Sequence, residues 1–470
     1  MAFNATAVWR CRTGGNDANG GGYDPGISGA GTDYSQQDAA QAAWTTALSM
    51  AGTSTLTDSG ASGLFTSAMV GNAVNVNSLF YFITGFTNSN NVTVDRSDTF
   101  SNESGKVGGG LLTFAKILNS TNATNAKVVP GNTVYLRHGT GTTSSPDYSF
   151  AGRITIVNGS STSGGYISII GENGMPILSN TSNDLFFLSN SDIIFKNIYC
   201  FNKAGTANAW FWSCSNILST GCVYDMNGLG QSVSNSGSGF VFVGNEINGN
   251  CTSSVAGNGT LTIGSNGALA IGNYIHDTGD TALSLNAWAT INYNIISKMH
   301  GTGAAACDIL VNSASFTINI MNNTCDGGAG DGIRIAAQAD AQAVNIYNNI
   351  ISNHTGGSKY GINVVSGSTA LTDLIKGLVD YNCLYNNTNN YGNISAGAHD
   401  ITSDPKYTGT GDFRLQSSSP CIGAGYPGVF LNGGNNQGYT TMGALTPQVT
   451  GGGASGPAGT ARIIQNIGTY

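Results

Sequence analysis

Residues 343–354 read AVNIYNNIISNH. Apolar and polar side chains alternate through Val344, Asn345 and Ile346, the two-residue period of a strand with one buried face. Asn348 and Asn349 then stand directly before Ile350 and Ile351, so two amides interrupt an apolar run. Near-copies recur along the chain: GNEI at Asn245, GNYI at Asn273, YNII at Asn294, NNTC at Asn323, NNII at Asn349 and YNCL at Asn382, with KNIY at Asn197 and GCVY at Gly221 upstream. A unit of about 20–30 residues cannot bury its own apolar face, and its repetition marks a solenoid. Gly, Asn and Ser clusters such as NHTGGSKYG at 353–361 separate the short β-branched runs, so each unit reads strand, turn, strand, turn. The expected assembly is a parallel β-helix with about three strands per coil and equivalent strands about 4.8 Å apart. Inward carboxamides at Asn197, Asn245, Asn273, Asn294, Asn323, Asn349 and Asn382 then form a structural ladder, each donating to the side-chain carbonyl of the next coil.

Composition agrees. The 470 residues include 68 glycines, 40% hydrophobic residues and only 9% charged ones, too apolar for disorder and too rich in glycine for helical repeats. The class is all-β. A formal charge of −8, from 25 acids against 17 bases with no basic run, points away from nucleic acid and anionic membrane and toward neutral polymers. The opening MAFNATAVWRCR lacks the basic-then-apolar pattern of a secretory signal, and no stretch has the apolar length of a membrane span. Synthesis in a cytoplasm is the expectation. Cys11, Cys200, Cys214, Cys222, Cys251, Cys307, Cys325, Cys383 and Cys421 are odd in number and include no CxxC pair, so they read as small buried hydrophobes.

Two stretches that bracket the repeats carry a family likeness. PGNTVYLRHGT (130–140), followed by GRITIVNGSSTSGGYISIIGENGMPIL (152–178), resembles the opening coils of pectate-lyase-like right-handed β-helix proteins, with Asn132 where an acidic residue is commoner. SDPKYTGTGDFRLQSSSPCIGAG (403–425) is similar to the closing segment of that superfamily. The resemblance covers about residues 106–445 and implies a fold that hosts lyases, hydrolases, epimerases and non-enzymatic adhesins alike.

Solenoid ends need covers, because open strand edges recruit other chains. Leu111, Phe114, Ala115 and Leu118 in LLTFAKIL form a one-sided stripe at helical spacing and predict an N-terminal capping helix. Upstream, RTGGNDANGGGYDPG (12–26) resembles the lead-in of the same proteins, which normally runs straight into the cap. Here AVNVN (73–77), LFYFITGF (79–86) and NVTVDRS (91–97) intervene as strands, so residues 43–105 read as a small inserted β-barrel or meander. The expected organisation is a leader at 1–42, the inserted β-domain at 43–105, the β-helix at 106–448, and a flexible linker with a C-terminal docking tail at 449–470. Leader, insertion and β-helix together resemble proteins of uncultured tailed bacteriophages that begin near MAFNATAVWR and carry GTDYSQQ, present here at 31–37. That resemblance implies a virion component.

Chemistry on acidic polysaccharide needs carboxylates clustered on one outer face and a nearby cation. YIHDTGDTALSL offers His276, Asp277 and Asp280; Asp308 and Asp326 follow, then Asp331 and Arg334 in CDGGAGDGIRI, where alternation points Ile333 and Ile335 inward and Arg334 outward. The catalytic candidates are Asp277, Asp280, Asp331 and Arg334. Asp beside Gly is equally ordinary turn chemistry. His138, His300, His354 and His399 lie beside turns without a second ligand at metal spacing, so they read as surface residues and no metal or cofactor is expected. Trp210, Trp212 and Trp288 are the candidates for stacking on sugar rings.

These features favour a non-enzymatic virion protein: a β-helical spike, fibre or capsid-decorating subunit whose flank meets glycans or neighbouring subunits. Its expected partners are further copies of itself, with a trimer implied by viral β-helices, other virion proteins and polysaccharide. The alternative is a polysaccharide lyase or hydrolase working through the Asp277/Asp280/Asp331/Arg334 region.

Overall fold

The computed structural model describes residues 6–60, 62–113, 128–150, 165–180, 192–202, 210–211, 214–228, 233–235, 238–253, 261–264, 266–303, 305–312, 317–336, 344–365, 378–427 and 440–445. The chain divides into two units, Met1–Ala204 and Gly205–Tyr470.

The second unit is a parallel β-solenoid built from three sheets. Sheet I stacks Ile217–Thr220, Phe240–Val243, Ala268–Ile271, Ala289–Asn292, Ile318–Met321, Val344–Tyr347 and Val379–Asp380. Sheet II stacks Val223–Asp225, Glu246–Asn248, Tyr274–His276, Ile295–Met299, Thr324–Gly328, Ile350–His354 and Cys383–Tyr385. Sheet III runs from Val233–Asn235 through Leu261–Ile263, Thr281–Leu285, Cys307–Val311, Asp331–Ile335 and Tyr360–Val364 to Asn389–Gly392. The pairing is parallel and in register, for example Ala270↔Ile291 and Ile320↔Ile346. Alternation explains the burial. In sheet I Phe242, Ala270, Ile291, Ile320 and Ile346 point inward and are fully buried, while Val243, Ile271, Asn292, Met321 and Tyr347 line the outer face.

Two corners are set by left-handed backbone. Between sheets I and II the residues Gly221, Gly244, Gly272, Tyr293, Asn322, Asn348 and Tyr381 all have φ between 53 and 64°. Each is followed by an inward residue, and from Asn245 onward that residue is the ladder asparagine. The Nδ2 of Asn273 donates to Asn294 Oδ1 at 2.9 Å and to the Phe242 carbonyl at 3.0 Å, while its own Oδ1 accepts from the backbone N and Nδ2 of Asn245 at 3.0 and 3.1 Å. Asn294, Asn323 and Asn349 repeat the pattern, and Asn382 receives the last link. Every donor and acceptor of these fully buried amides is thus used, which is the condition for burying them at little cost. Asn197, in the first unit, stands elsewhere: it has φ 58°, the corner conformation, and donates to the Gly171 and Gly174 carbonyls, while the inward slot after it holds the apolar Ile198.

In the first unit Val8–Cys11 pairs in parallel with Thr133–Arg137, which pairs with Ile167–Glu172 and then Ile193–Lys196. The leader therefore supplies a rung. Trp9, fully buried, donates through Nε1 to Asn132 Oδ1 at 3.2 Å. An antiparallel sheet interrupts these rungs, with Asn91–Val107 paired to Ala42–Asp58, Ala73–Val76 and Leu79–Asn88 around a core that includes Trp44, Leu48, Phe65, Tyr81 and Val92.

The expected capping helix has no support. Among the described residues there is no α-helix, only two 3₁₀ turns at Tyr34–Gln36 and Ser67–Met69. Leu111 forms a parallel bridge with Cys11, its N–H bonded to the Arg10 carbonyl and its carbonyl to the Arg12 N–H, which demands extended backbone. Phe114, Ala115 and Leu118 lie outside the described residues, as does the tail from 446.

At the C-terminal end Ile401 bridges Cys383, and a hairpin of Tyr407–Gly409 and Asp412–Leu415 follows. Tyr407, Phe413 and Ala444 pack with Ile295 of sheet II, and Met442 joins Ile350, Cys383 and Cys421. All nine cysteines are buried thiols.

Candidate functional site

A polar, partly exposed cluster of the solenoid lies on the outer face of sheet II and its corner with sheet III. Register aligns Asn248↔His276↔Ser297 in one outward column and Glu246↔Tyr274↔Ile295 in another, because Ile247, Ile275 and Ile296 between them face the core. His276 Nε2 lies 3.2 Å from Glu246 Oε1 and its Nδ1 lies 2.6 Å from Asp277 Oδ2, with the Tyr274 ring stacked at 4.3 Å. Asp277 Oδ1 is 3.5 Å from His300 Nε2, and Lys298 Nζ is 3.9 Å from Oδ2. Burial alone would depress the His276 pKa, but the hydrogen bonds to Glu246 and Asp277 outweigh it and raise the value. The imidazole ring is therefore clamped between the Glu246 and Asp277 side chains.

Asp277 has a conformational reason to be there. It occupies the second left-handed corner with φ 50°, in register with the left-handed Lys298, Gly327, Asn353 and Asn386 of later coils, whereas the two earlier coils place their left-handed residues, Asn227 and Asn250, one position further on. Asp and Asn tolerate this region better than other residues with a side chain.

The remaining acidic candidates do not join it. Asp280 precedes Thr281 on sheet III, and its carboxyl is pushed up by burial against a weaker opposing pull from Lys359. Asp331 is fully buried and accepts from Arg334 Nη1 at 2.8 Å, Asn363 Nδ2 at 2.8 Å and the Tyr360 N–H at 2.9 Å. Arg334 stands on the outer face between Leu310 and Asn363, with Ile333 and Ile335 inward. Asp331 is thus spent on these three hydrogen bonds, one of which ties down Arg334.

Of the aromatic candidates, Trp210 is fully buried against Tyr224 and belongs to the core. Trp212 lies outside the described residues. Trp288 is 49% exposed at the turn entering sheet I.

Reading the histidines as surface residues fails for His354, which is completely buried 3.5 Å from the equally buried Asp308. His138 is held at 2.7 Å by the buried Asp147. His300, His354 and Glu246 were not readable as partners, since each lies one to two coils from the group it meets. Only the coil register, fixed by the asparagines, brings them together.

No family model matches this sequence, and no curated protein matches it. Among solved structures, the pectate lyase Pel9A is similar over 72% of this chain and 92% of its own, at 12% identity and a TM-score of 0.40. The alginate lyase AlyGC covers 63% of this chain and 53% of its own at 11% identity and a TM-score of 0.25. The tailspike protein gp49 of Pseudomonas phage LKA1 covers 75% of this chain and 64% of its own at 9% identity and a TM-score of 0.22. With likeness at this level, the fold rests on the chain's own strand pairing.

Proposed function

We propose that this chain is a non-catalytic, stiff scaffold: a structural protein of a bacteriophage particle, wound as a right-handed β-helix and serving as spike, fibre or capsid decoration. The observation that carries the reading is the second corner column. The best-placed acid, Asp277, fills a corner slot that is left-handed in the following coils as well, three of which fill it with Gly327, Asn353 and Asn386, and Asp331 is spent on an internal network. A solenoid whose polar groups are consumed in holding register is built for rigidity rather than turnover. In this reading the copies associate with one another, as a trimer, and with other virion proteins through residues 43–105 or the tail, and the flank adheres to glycans.

Mass spectrometry of purified particles tests the location. Recovery of the chain in stoichiometric amounts is the expected result; its absence from every virion fraction would overturn the proposal.

A second reading has one observation in its favour. His276 joins Glu246 and Asp277 in a carboxylate–imidazole–carboxylate chain that is partly open to solvent, an arrangement able to hold and pass a proton. It predicts polysaccharide cleavage. Incubation with host capsule and acidic polysaccharides, followed by assay for reducing ends or unsaturated products, decides between the two: turnover abolished by His276→Ala and Asp277→Ala would establish the enzyme.

A further inference from the structure

The corner between sheets I and II carries a patch that the ladder does not require. Five of its seven left-handed positions are Gly or Asn, the residues suited to that backbone, but Tyr293 and Tyr381 adopt φ 56° and 58°. A bulky ring there strains the backbone, and such outliers persist where the side chain has a use. Tyr293 is 41% exposed and Tyr426, delivered by the C-terminal segment, 40%. Tyr426 packs 5.7 Å from Tyr347 on the outer face of sheet I and 5.3 Å from Tyr381. The Tyr347 hydroxyl, pushed up by burial, also feels the phenols of Tyr426 and Tyr293. Beside the rings stand amides and a carboxylate: Asn322 Nδ2 donates to Asn292 Oδ1 at 3.0 Å, and Asp380, whose Oδ2 lies 2.7 Å from His399 Nδ1, closes the row.

We infer that Tyr293, Tyr347 and Tyr426 form a binding platform for an uncharged oligosaccharide. Phenol rings present apolar faces to the C–H faces of pyranoses, while amides and a carboxylate take the hydroxyls. Tyr347 lies two coils beyond the Tyr293 rung, roughly 10 Å at the strand spacing, so the platform spans several sugar units rather than one. The corner column itself contains no lysine or arginine, and the Asp380 carboxylate beside it is paired with His399, which stacks on Tyr381, so the column offers a uronate chain no fixed cation. This inference deepens the glycan-adhesion part of the proposed function and rests on it. Particle composition tests the virion reading independently, so the two fail separately.

The experiment is affinity electrophoresis and calorimetry of the full chain with cellohexaose, maltohexaose and chitohexaose, with polygalacturonate as the charged control. At least one neutral probe binds, and polygalacturonate binds more weakly. Tyr426→Ala and Tyr293→Gly each weaken that binding at least tenfold, whereas Tyr293→Phe stays within twofold. Tyr293→Gly puts the preferred residue into the left-handed slot, so its melting temperature does not fall and lost binding is not lost folding. Failure of all three neutral probes to bind, tighter binding of polygalacturonate, or unchanged binding by the Tyr293→Gly/Tyr426→Ala double variant would overturn the inference.

Discussion

The backbone N–H of Asn382 donates to Oδ1 of Asp400 at 2.7 Å, so a column whose earlier links all end on carboxamides terminates on a carboxylate. The aligned amide dipoles point their donors at this end, and an anion there satisfies both the last N–H and the summed dipole. Asp400 Oδ2 is used as well, accepting from the Tyr391 hydroxyl at 2.8 Å and the Gly397 N–H at 2.7 Å.

Asp400→Ala therefore strands the buried Asn382 N–H and costs about 2–3 kcal/mol, while Asp400→Asn keeps one acceptor and costs about 1 kcal/mol. Urea denaturation measures both. Hydrogen exchange locates the loss: protection should fall at Asn382 and Cys383 before it falls at Asn273.

Inside the column the penalty grows. Asn323→Ala removes the acceptor of both the Asn294 N–H and its Nδ2, and takes the Nδ2 donor from Asn349 Oδ1 while the backbone N–H of residue 323 stays, for about 3 kcal/mol. Asn197→Gly, at a corner where glycine fits the left-handed backbone and the lost bonds are partly solvated, costs about 1 kcal/mol. Equal effects in chemical denaturation would mean that the two asparagines share one role.

That contrast shows what the sequence alone can resolve. Asparagine suits both the corner and the inward slot beside it, so a lone Asn197 is ambiguous by one residue, whereas the doublets Asn322-Asn323 and Asn348-Asn349 fill both positions. Ala42–Asp58 went unread because Ala, Gly, Ser and Thr give its faces too little contrast in polarity. The burial of His354 and Asp308 is not legible for a different reason. In Cys307–Val311 the adjacent residues Asp308 and Ile309 are both fully buried, which breaks the alternation on which inward and outward assignments depend.

The Asp331–Arg334 pair is predicted to be structural. Arg334→Met leaves a buried carboxylate with two neutral donors and should destabilise the chain by about 3 kcal/mol. Adding Asp331→Asn should recover part of that loss, so the double variant is more stable than Arg334→Met alone in the same urea titration. A double variant that is less stable would show that the charge on Asp331 helps the fold in its own right.

The last prediction concerns pH and rests on Asp308 and His354. Burial pushes the Asp308 carboxyl well above its usual range, with Asp326 adding to the shift, and burial pushes His354 down to about 4. Cys307, Cys325, Asp331 and Arg334 also surround the pair; both thiols are pushed up and stay neutral. Between about pH 4 and 6.5 the unfolded histidine binds a proton that folded His354 does not, which makes stability rise with pH. The raised Asp308 carboxyl keeps its proton to higher pH in the folded state than in the unfolded one, which makes stability fall, so the two contributions oppose each other. Above about 6.5 the unfolded histidine has lost its proton too, and only the Asp308 contribution remains. Wherever folded Asp308 still holds its proton the unfolded state binds fewer protons, and stability falls with rising pH, by at most about 1.4 kcal/mol per pH unit. Asp308→Asn removes that proton from the count. Urea midpoints at pH 6, 7, 8 and 9 should decline in the wild type and decline less in the variant, with any slope from Asp326 common to both. Parallel curves would show that Asp308 is ionised in the folded protein at neutral pH.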